Sequence, residues 1–323
     1  MRRRNFIATG TAALVASPQL FAQGKFPQRA ITLVVPTAPG GSTDFTARLV
    51  SDPLSRALGQ PVVVDNKPGA SGNIGNQLVA RAKPDGYTLL VSYSGYHVGN
   101  PHLFTQAGWD PIKDFAPVAM MTRAPQVIAV NPKLPVNNLK ELIAYAKANP
   151  GKLNYASSGN GSIQHIAGEL FKQLTGTFIT HIPYRGSGPA VQDLMGGQVD
   201  IFITTPAGVV SQIQGGRLKG LAVTSKQRLT SLPNVPTAAE SGLNGYELDS
   251  WFALYAPAGT PLEIVQQLNT EVNRVLLTPE ARKRADDNGT TVETMTPLQL
   301  AEFTKKELDY WGRVIKAARI TLE

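Results

Sequence analysis

The chain has 323 residues, four histidines, no cysteine and a formal charge of +8. Without cysteine there is no disulfide framework, no lipid anchor on cysteine and no thiolate zinc site. Lysine and arginine are scattered rather than clustered, so a nucleic-acid-binding surface has no support, and the length suits two domains of ordinary size.

Arg2-Arg3-Arg4-Asn5-Phe6-Ile7 opens the chain, followed by a short, weakly apolar stretch over 8–16 and a small-residue site near Ala22. A positive flank, a short apolar segment and a small-residue exit define a signal peptide. Residues 1–22 fill that role, in either a twin-arginine or a general secretory form. The three leader arginines leave with it, so the mature chain carries +5. No other segment approaches the roughly 18 uninterrupted apolar residues of a membrane span, and a soluble exported protein is expected.

The first unit of the mature chain runs from the apolar strand Ile31-Thr-Leu-Val-Val35 through the loop Pro36-Thr-Ala-Pro-Gly-Gly-Ser-Thr-Asp44 into a helix over 44–58. Leu33-Val34-Val35 has the continuous apolar character of a strand buried on both faces. Gly40 and Gly41 let backbone amides approach a ligand. Ser42 or Thr43 is placed to cap the helix, whose free N–H groups favour an anion. The unit is either a routine connection or an anion cradle.

Further strands are predicted over 61–65, 87–92, 127–130, 153–155, 181–183, 199–203 and 218–224, and helices over 73–82, 139–148, 163–174, 190–195 and 207–214. This alternation predicts an α/β protein with largely parallel sheets. Asn138 followed by Glu141 reads as a capping box. After the apolar run Trp251-Phe-Ala-Leu-Tyr255, Thr-Pro pairs at Thr260, Thr278 and Thr296 mark three helix starts, predicting helices over 262–277, 279–288 and 297–318. The segment over about 124–247 can form its own sheet before the chain returns near Trp251, so a discontinuous first lobe wrapped around a second is expected.

Catalytic and metal motifs are missing: no Gly-x-Ser-x-Gly elbow, no phosphate-binding Gly-Lys-Ser/Thr loop, and no two histidines at metal-type spacing with a carboxylate. What the chain offers is a set of short polar loops following strands: 36–44, 92–97, 156–162, 184–188 and 204–206. Loops rich in hydroxyls and free amides, poor in acids, suit capture of carboxylate oxygens by neutral donors. Arg185, at a loop apex, is either a ligand clamp or a solvent-facing charge. His165 is either structural or a ligand contact, and Asp44 either caps its helix or meets an amino group. Tyr93, Tyr96, Phe45 and Trp251 either pack in a core or line a pocket.

Several stretches carry a family resemblance: the 36–44 loop, Val64-Asp65-Asn66-Lys67-Pro68-Gly69-Ala70-Ser71-Gly72-Asn73-Ile74-Gly75, Pro84-Asp85-Gly86-Tyr87-Thr88-Leu89-Leu90, Pro183-Tyr184-Arg185-Gly186-Ser187, Gly197-Gln198-Val199-Asp200, Leu221-Ala222-Val223-Thr224-Ser225 and Pro233-Asn234-Val235-Pro236-Thr237. Over about 26–320 the chain resembles the periplasmic receptors of tripartite tricarboxylate transporters, the Bug-type solute receptors.

The resemblance implies a two-lobed periplasmic binding fold, a Venus flytrap of the type II-like kind, each lobe a mostly parallel sheet flanked by helices. Lobe 1 is expected over 23–124 plus 248–323 and lobe 2 over 125–247, with the ligand cleft between them. Carried over by position, Ala38, Gly41, Ser42, Ser92, Ser94, Ser158, Ser162, Arg185, Gly186 and Ser187 are implied ligand contacts, to which the reading of the residues adds Asp44, Tyr93 and His165. Thr204, also counted among the expected ligand contacts, stands where the family commonly has an aspartate, and the lost charge argues against an amino-acid ligand.

The implied role is a monomeric, non-enzymatic periplasmic receptor. It would take a di- or tricarboxylate, or an aromatic carboxylate, and deliver it to membrane permease subunits, with no cofactor, metal or nucleic acid. A periplasmic sensor of the same fold, or a hydrolase using His165 and a serine, is the alternative.

Overall fold

The computed structural model describes residues 26–104 and 106–317; the signal peptide expected at 1–22 lies outside the described residues. The chain opens with β1 (Ile31–Val35), α1 (Ser42–Leu58), β2 (Val62–Asn66), α2 (Asn73–Ala80), β3 (Thr88–Tyr93), the short α3 (Asn100–Leu103) and the long β4 (Phe115–Pro125). It continues through β5 (Val127–Val130), α4 (Leu139–Ala148), β6 (Asn154–Ser157), α5 (Ile163–Thr175), β7 (Thr180–Pro183), α6 (Ser187–Gly196), β8 (Ile201–Thr204), α7 (Val210–Gln214) and β9 (Lys219–Val223). It returns with β10 (Asp249–Pro257), α8 (Leu262–Leu276), α9 (Pro279–Asp287), β11 (Thr291–Val292) and α10 (Pro297–Ala317).

Two sheets result, one per lobe: β11-β4-β10-β3-β1-β2 and β7-β6-β8-β5-β9. The strands built by strand-helix units are parallel, β1 to β2 and β3, and β6 to β7 and β8. The strands at the passage between lobes are antiparallel: β10 to β3 and β4, β11 to β4, and β5 to β8 and β9. The expectation of mostly parallel sheets is therefore corrected to mixed ones. Parallel pairing within a sheet needs a crossover element; β5 and β10 each enter their sheet from the other one, β5 directly after β4 through Gln126.

Gln126 is fully buried at that passage. Its N–H donates to Thr224 Oγ1 at 2.8 Å, its carbonyl accepts Thr224 N–H at 2.9 Å, and its Nε2 donates to Ser250 Oγ at 3.0 Å. The outgoing strand and the returning chain are thus tied at one knot.

Layering follows from burial. β1 is buried on both faces, as its apolar run predicts. One face of the first sheet packs Ala47, Val50 and Leu54 of α1 with Leu268 and Val272 of α8. The other opens into a core that continues into the second lobe through Tyr93, Ile163 and Ile166. Fully burying an aliphatic side chain stabilises by about 1.5–3 kcal/mol, so these layers dominate the fold's stability.

Of the capping residues expected in the later helices, all but Thr260 hold. Asn138 and Glu141 form their capping pair, Thr278 accepts from Ala281 N–H, and Thr296 and Gln299 cap each other. Thr260 instead donates to the Pro257 carbonyl at 2.7 Å, and the cap position falls on Pro261. Among the described residues no helix is long and apolar enough to cross a membrane.

Candidate functional site

The 36–44 loop enters α1 with Gly41 as cap residue, not Ser42 or Thr43; Ser42 is the first helical residue. Asp44, three residues into the helix, reaches back. Its Oδ2 accepts Gly40 N–H at 3.1 Å and Arg48 Nε at 3.0 Å, and its Oδ1 accepts Asn66 Nδ2 at 3.1 Å. The carboxylate reaches past the cap residue to the N–H before it; it fixes the loop, and it is absent from the lining of the cavity described below.

The second lobe brings three loops against it. Gly186, with φ +128°, and Gly188 permit the closest approach. A Cβ on Gly186 would lie 2.9 Å from the Ala38 nitrogen, and one on Gly188 would lie 2.1 Å from the Pro39 carbonyl oxygen. Ala38 N–H donates to the Arg185 carbonyl at 3.2 Å. Ser42 Oγ and Thr205 Oγ1 lie 2.5 Å apart. From β3, Tyr93 donates to Gln164 Oε1 at 2.6 Å while its hydroxyl accepts Ile163 N–H at 2.8 Å, the first amide of α5. Tyr96 donates to the Ser158 carbonyl.

These contacts enclose a cavity with about 10 Å³ of water-accessible volume, lined from the first lobe by Thr37, Gly41, Ser42, Thr43, Tyr93 and Phe252 and from the second by Ser158, Gln164, Ser187 and Thr205. That is room for about one water molecule. The lining is neutral, made of hydroxyls, one amide and two aromatic rings, and Tyr93 stacks on Phe252 at 5.7 Å. Burial raises Tyr93 well above the usual phenol value and Tyr96 to about 12, so both remain donors at neutral pH. A hollow of about 310 Å³ on the outer face, between α1, α8 and α9, includes none of the polar loops.

Of the residues expected from sequence, the structure brings Gly41, Ser42, Tyr93, Ser158 and Ser187 to this cavity, with Ala38 and Gly186 beside it. Ser162 caps α5, accepting His165 N–H at 3.2 Å. The His165 ring is engaged elsewhere: Nδ1 accepts Gly161 N–H at 3.2 Å, and the ring stacks on His181 at 4.0 Å. Burial lowers its pKa. Ser94 Oγ accepts Trp251 N–H, and Ser92 and Thr204 are fully buried at strand positions. Arg185 contributes its carbonyl to the junction while its residue stays exposed. Phe45 packs against the first core, and Trp251 donates to Glu307 beneath α10. Among the described residues no cluster of histidine, aspartate and glutamate is arranged to hold a metal ion.

Sequence reading missed Thr37, Thr43, Gln164, Thr205 and Phe252 as lining residues. Thr37, Thr43 and Thr205 lay inside loops already singled out. Phe252 sits directly opposite Tyr93 in the ladder, and one step of strand register separates it from Trp251, on the other face. Gln164, neutral and within a helix, carried no charge to attract notice.

The family model described as the tripartite tricarboxylate transporter family receptor matches residues 46–320. Protein BugT of Bordetella pertussis (strain Tohama I) is 40% identical over 313 residues, spanning 96% of this chain and 94% of that protein. The structure of R. palustris Rpa4515 with adipate superposes with a TM-score of 0.89 at 39% identity, covering 92% of this chain and 99% of that one. The structure of MatC (Rpa3494) from Rhodopseudomonas palustris with bound malate gives 0.85 at 36% identity, covering 90% and 100%.

Proposed function

The chain belongs to the family of tripartite tricarboxylate transporter receptors, and from that premise we propose that it is a periplasmic receptor that captures a small organic carboxylate between its lobes. Delivery to the membrane permease subunits of a tripartite transporter follows from the same reading. The observation that carries it is the acid-free ring of hydroxyl donors at the lobe junction: Thr37, Ser42, Tyr93, Ser158, Ser187 and Thr205. Hydrogen bonds to a charged acceptor contribute about 1.5–3 kcal/mol each, so three or four support micromolar binding after ordering costs. The amino end of α1 adds a partial positive charge at Ser42.

The acids named with two relatives, adipate for Rpa4515 and malate for MatC, support a dicarboxylate; Tyr93 and Phe252 supply an apolar wall that also suits an aromatic acid. An acid of this size exceeds a cavity of about 10 Å³, so the lobes must part to admit it and close over it. We take the moving bodies to be 23–124 with 248–323, and 125–247, turning about Gln126 and the returning segment.

Calorimetric titration with adipate, malate, a tricarboxylate and an aromatic carboxylate tests the proposal. Saturable binding of at least one acid, recovered unchanged, is expected; a protein that binds none of them, or converts one, is something else.

A further inference from the structure

Gln164 stands at the centre of the junction, 2% exposed. Its Oε1 accepts from Tyr93 Oη at 2.6 Å and from Ser158 Oγ at 2.9 Å, and its Nε2 donates to Ser187 Oγ at 3.3 Å. Tyr93 belongs to the first lobe and the other partners to the second, so the amide spans the cleft. Two hydroxyl donors converging on one planar oxygen is also the arrangement that holds a carboxylate oxygen. With about 10 Å³ beside them, these donors cannot serve both the amide and an acid at once.

We propose that Gln164 is an internal stand-in for the ligand's carboxylate: its amide oxygen fills the subsite between Tyr93 and Ser158, latches the lobes together, and must be displaced by the incoming acid. The inference rests on the carboxylate reading above and adds a specificity mechanism to it. A carboxylate accepts stronger hydrogen bonds than a neutral amide, about 1.5–3 against 0.5–1.5 kcal/mol, so an acid displaces the latch with a net gain. A neutral alcohol or amide of the same shape exchanges like for like and gains nothing, so the latch discriminates by charge without a cation in the site. Tyr93, kept protonated by burial, stays a donor to either acceptor.

Gln164→Met keeps the volume and removes the hydrogen bonds; Gln164→Ala removes both. Small-angle scattering without added acid should show wild type compact and both variants extended, closing when adipate or malate is added. Affinity for the better acid should rise about tenfold, since loss of neutral hydrogen bonds worth ~1 kcal/mol each removes the competing closed population. A tenfold fall in both variants would make Gln164 a ligand contact and overturn the latch, as would scattering curves identical to wild type. If none of the four acids titrated above binds any of the three proteins, the carboxylate reading falls, while the scattering still decides whether Gln164 holds the lobes together.

Discussion

Ser42 and Thr205 meet hydroxyl to hydroxyl at 2.5 Å, both buried, one at the first turn of α1 and the other on the far lobe. Each hydroxyl has a partner only while the lobes touch, and each becomes a donor when they part. Ser42→Ala should therefore weaken binding of the best acid by ~10–100-fold, the worth of one charge-assisted hydrogen bond. Thermal unfolding should move by only a few degrees, because no core contact is lost. Calorimetry decides: an affinity within twofold of wild type would remove Ser42 from the ligand's contacts.

Gly188 bears on closure itself. A Cβ there would stand 2.1 Å from the Pro39 carbonyl oxygen across the junction, a backbone atom with little freedom to yield. Overpacking of this kind costs about 1–3 kcal/mol, and the lobes can avoid it by staying apart. Gly188→Ala is expected to bind ~10–100-fold more weakly and to scatter as an extended particle even with saturating acid. Full compaction of the variant would show that the approach of Gly188 to Pro39 is not needed for closure.

Much of this architecture was legible because it rests on local pattern: β1 and α4 appear over the predicted residues, and the Asn138, Thr278 and Thr296 starts are made by their own side chains. β4 escaped notice because Pro117 and Pro125 break its strand pattern, yet it pairs with β10 along its length with two register shifts. The loops of the site were visible as polar punctuation, and their tertiary partners were not. Gly186 entered as an implied ligand contact and Gly188 only as part of the 184–188 loop, whereas their lack of a side chain matters for the approach of the other lobe. Arg185, the only cation among the singled-out loop residues, drew attention by its charge, while the neutral Gln164 holds the centre.

Arg185 remains a test of the rim. Its main chain anchors Ala38 and its residue is exposed, so its guanidinium lies where salt screens it. An exposed cation at a cleft mouth acts more on encounter than on residence. Arg185→Ala should slow association by ~3-fold at low ionic strength and leave dissociation nearly unchanged, with the difference fading as salt rises. Stopped-flow measurement at two ionic strengths checks this; a large rise in dissociation rate at both would instead place the side chain on the bound acid.

Acid should destabilise the fold through two buried histidines, His97 and His165, and the half-buried His181. His97, fully buried among Trp109, Phe115 and Tyr255, is held down to about 3 by burial. His181, whose Nε2 lies 2.6 Å from Ser157 Oγ, is held to about 3 by burial and by the neighbouring charges of His165 and Lys172. His165 is lowered too, by burial first, against the opposing pull of Glu169. With folded values below the ordinary 6.5, the unfolded chain binds more protons, so this stability is complete above about pH 6.5 and is lost as pH falls toward about 3. Each such histidine contributes a slope of up to about 1.4 kcal/mol per pH unit in that window. The melting temperature should be level above pH 7 and fall between pH 6.5 and 5, before most carboxylates titrate. His97→Phe, which keeps a flat ring beside Tyr255, should lessen that slope by about one proton's worth. A melting temperature that stays constant from pH 7 to 5 would mean that these rings are not held neutral by the fold.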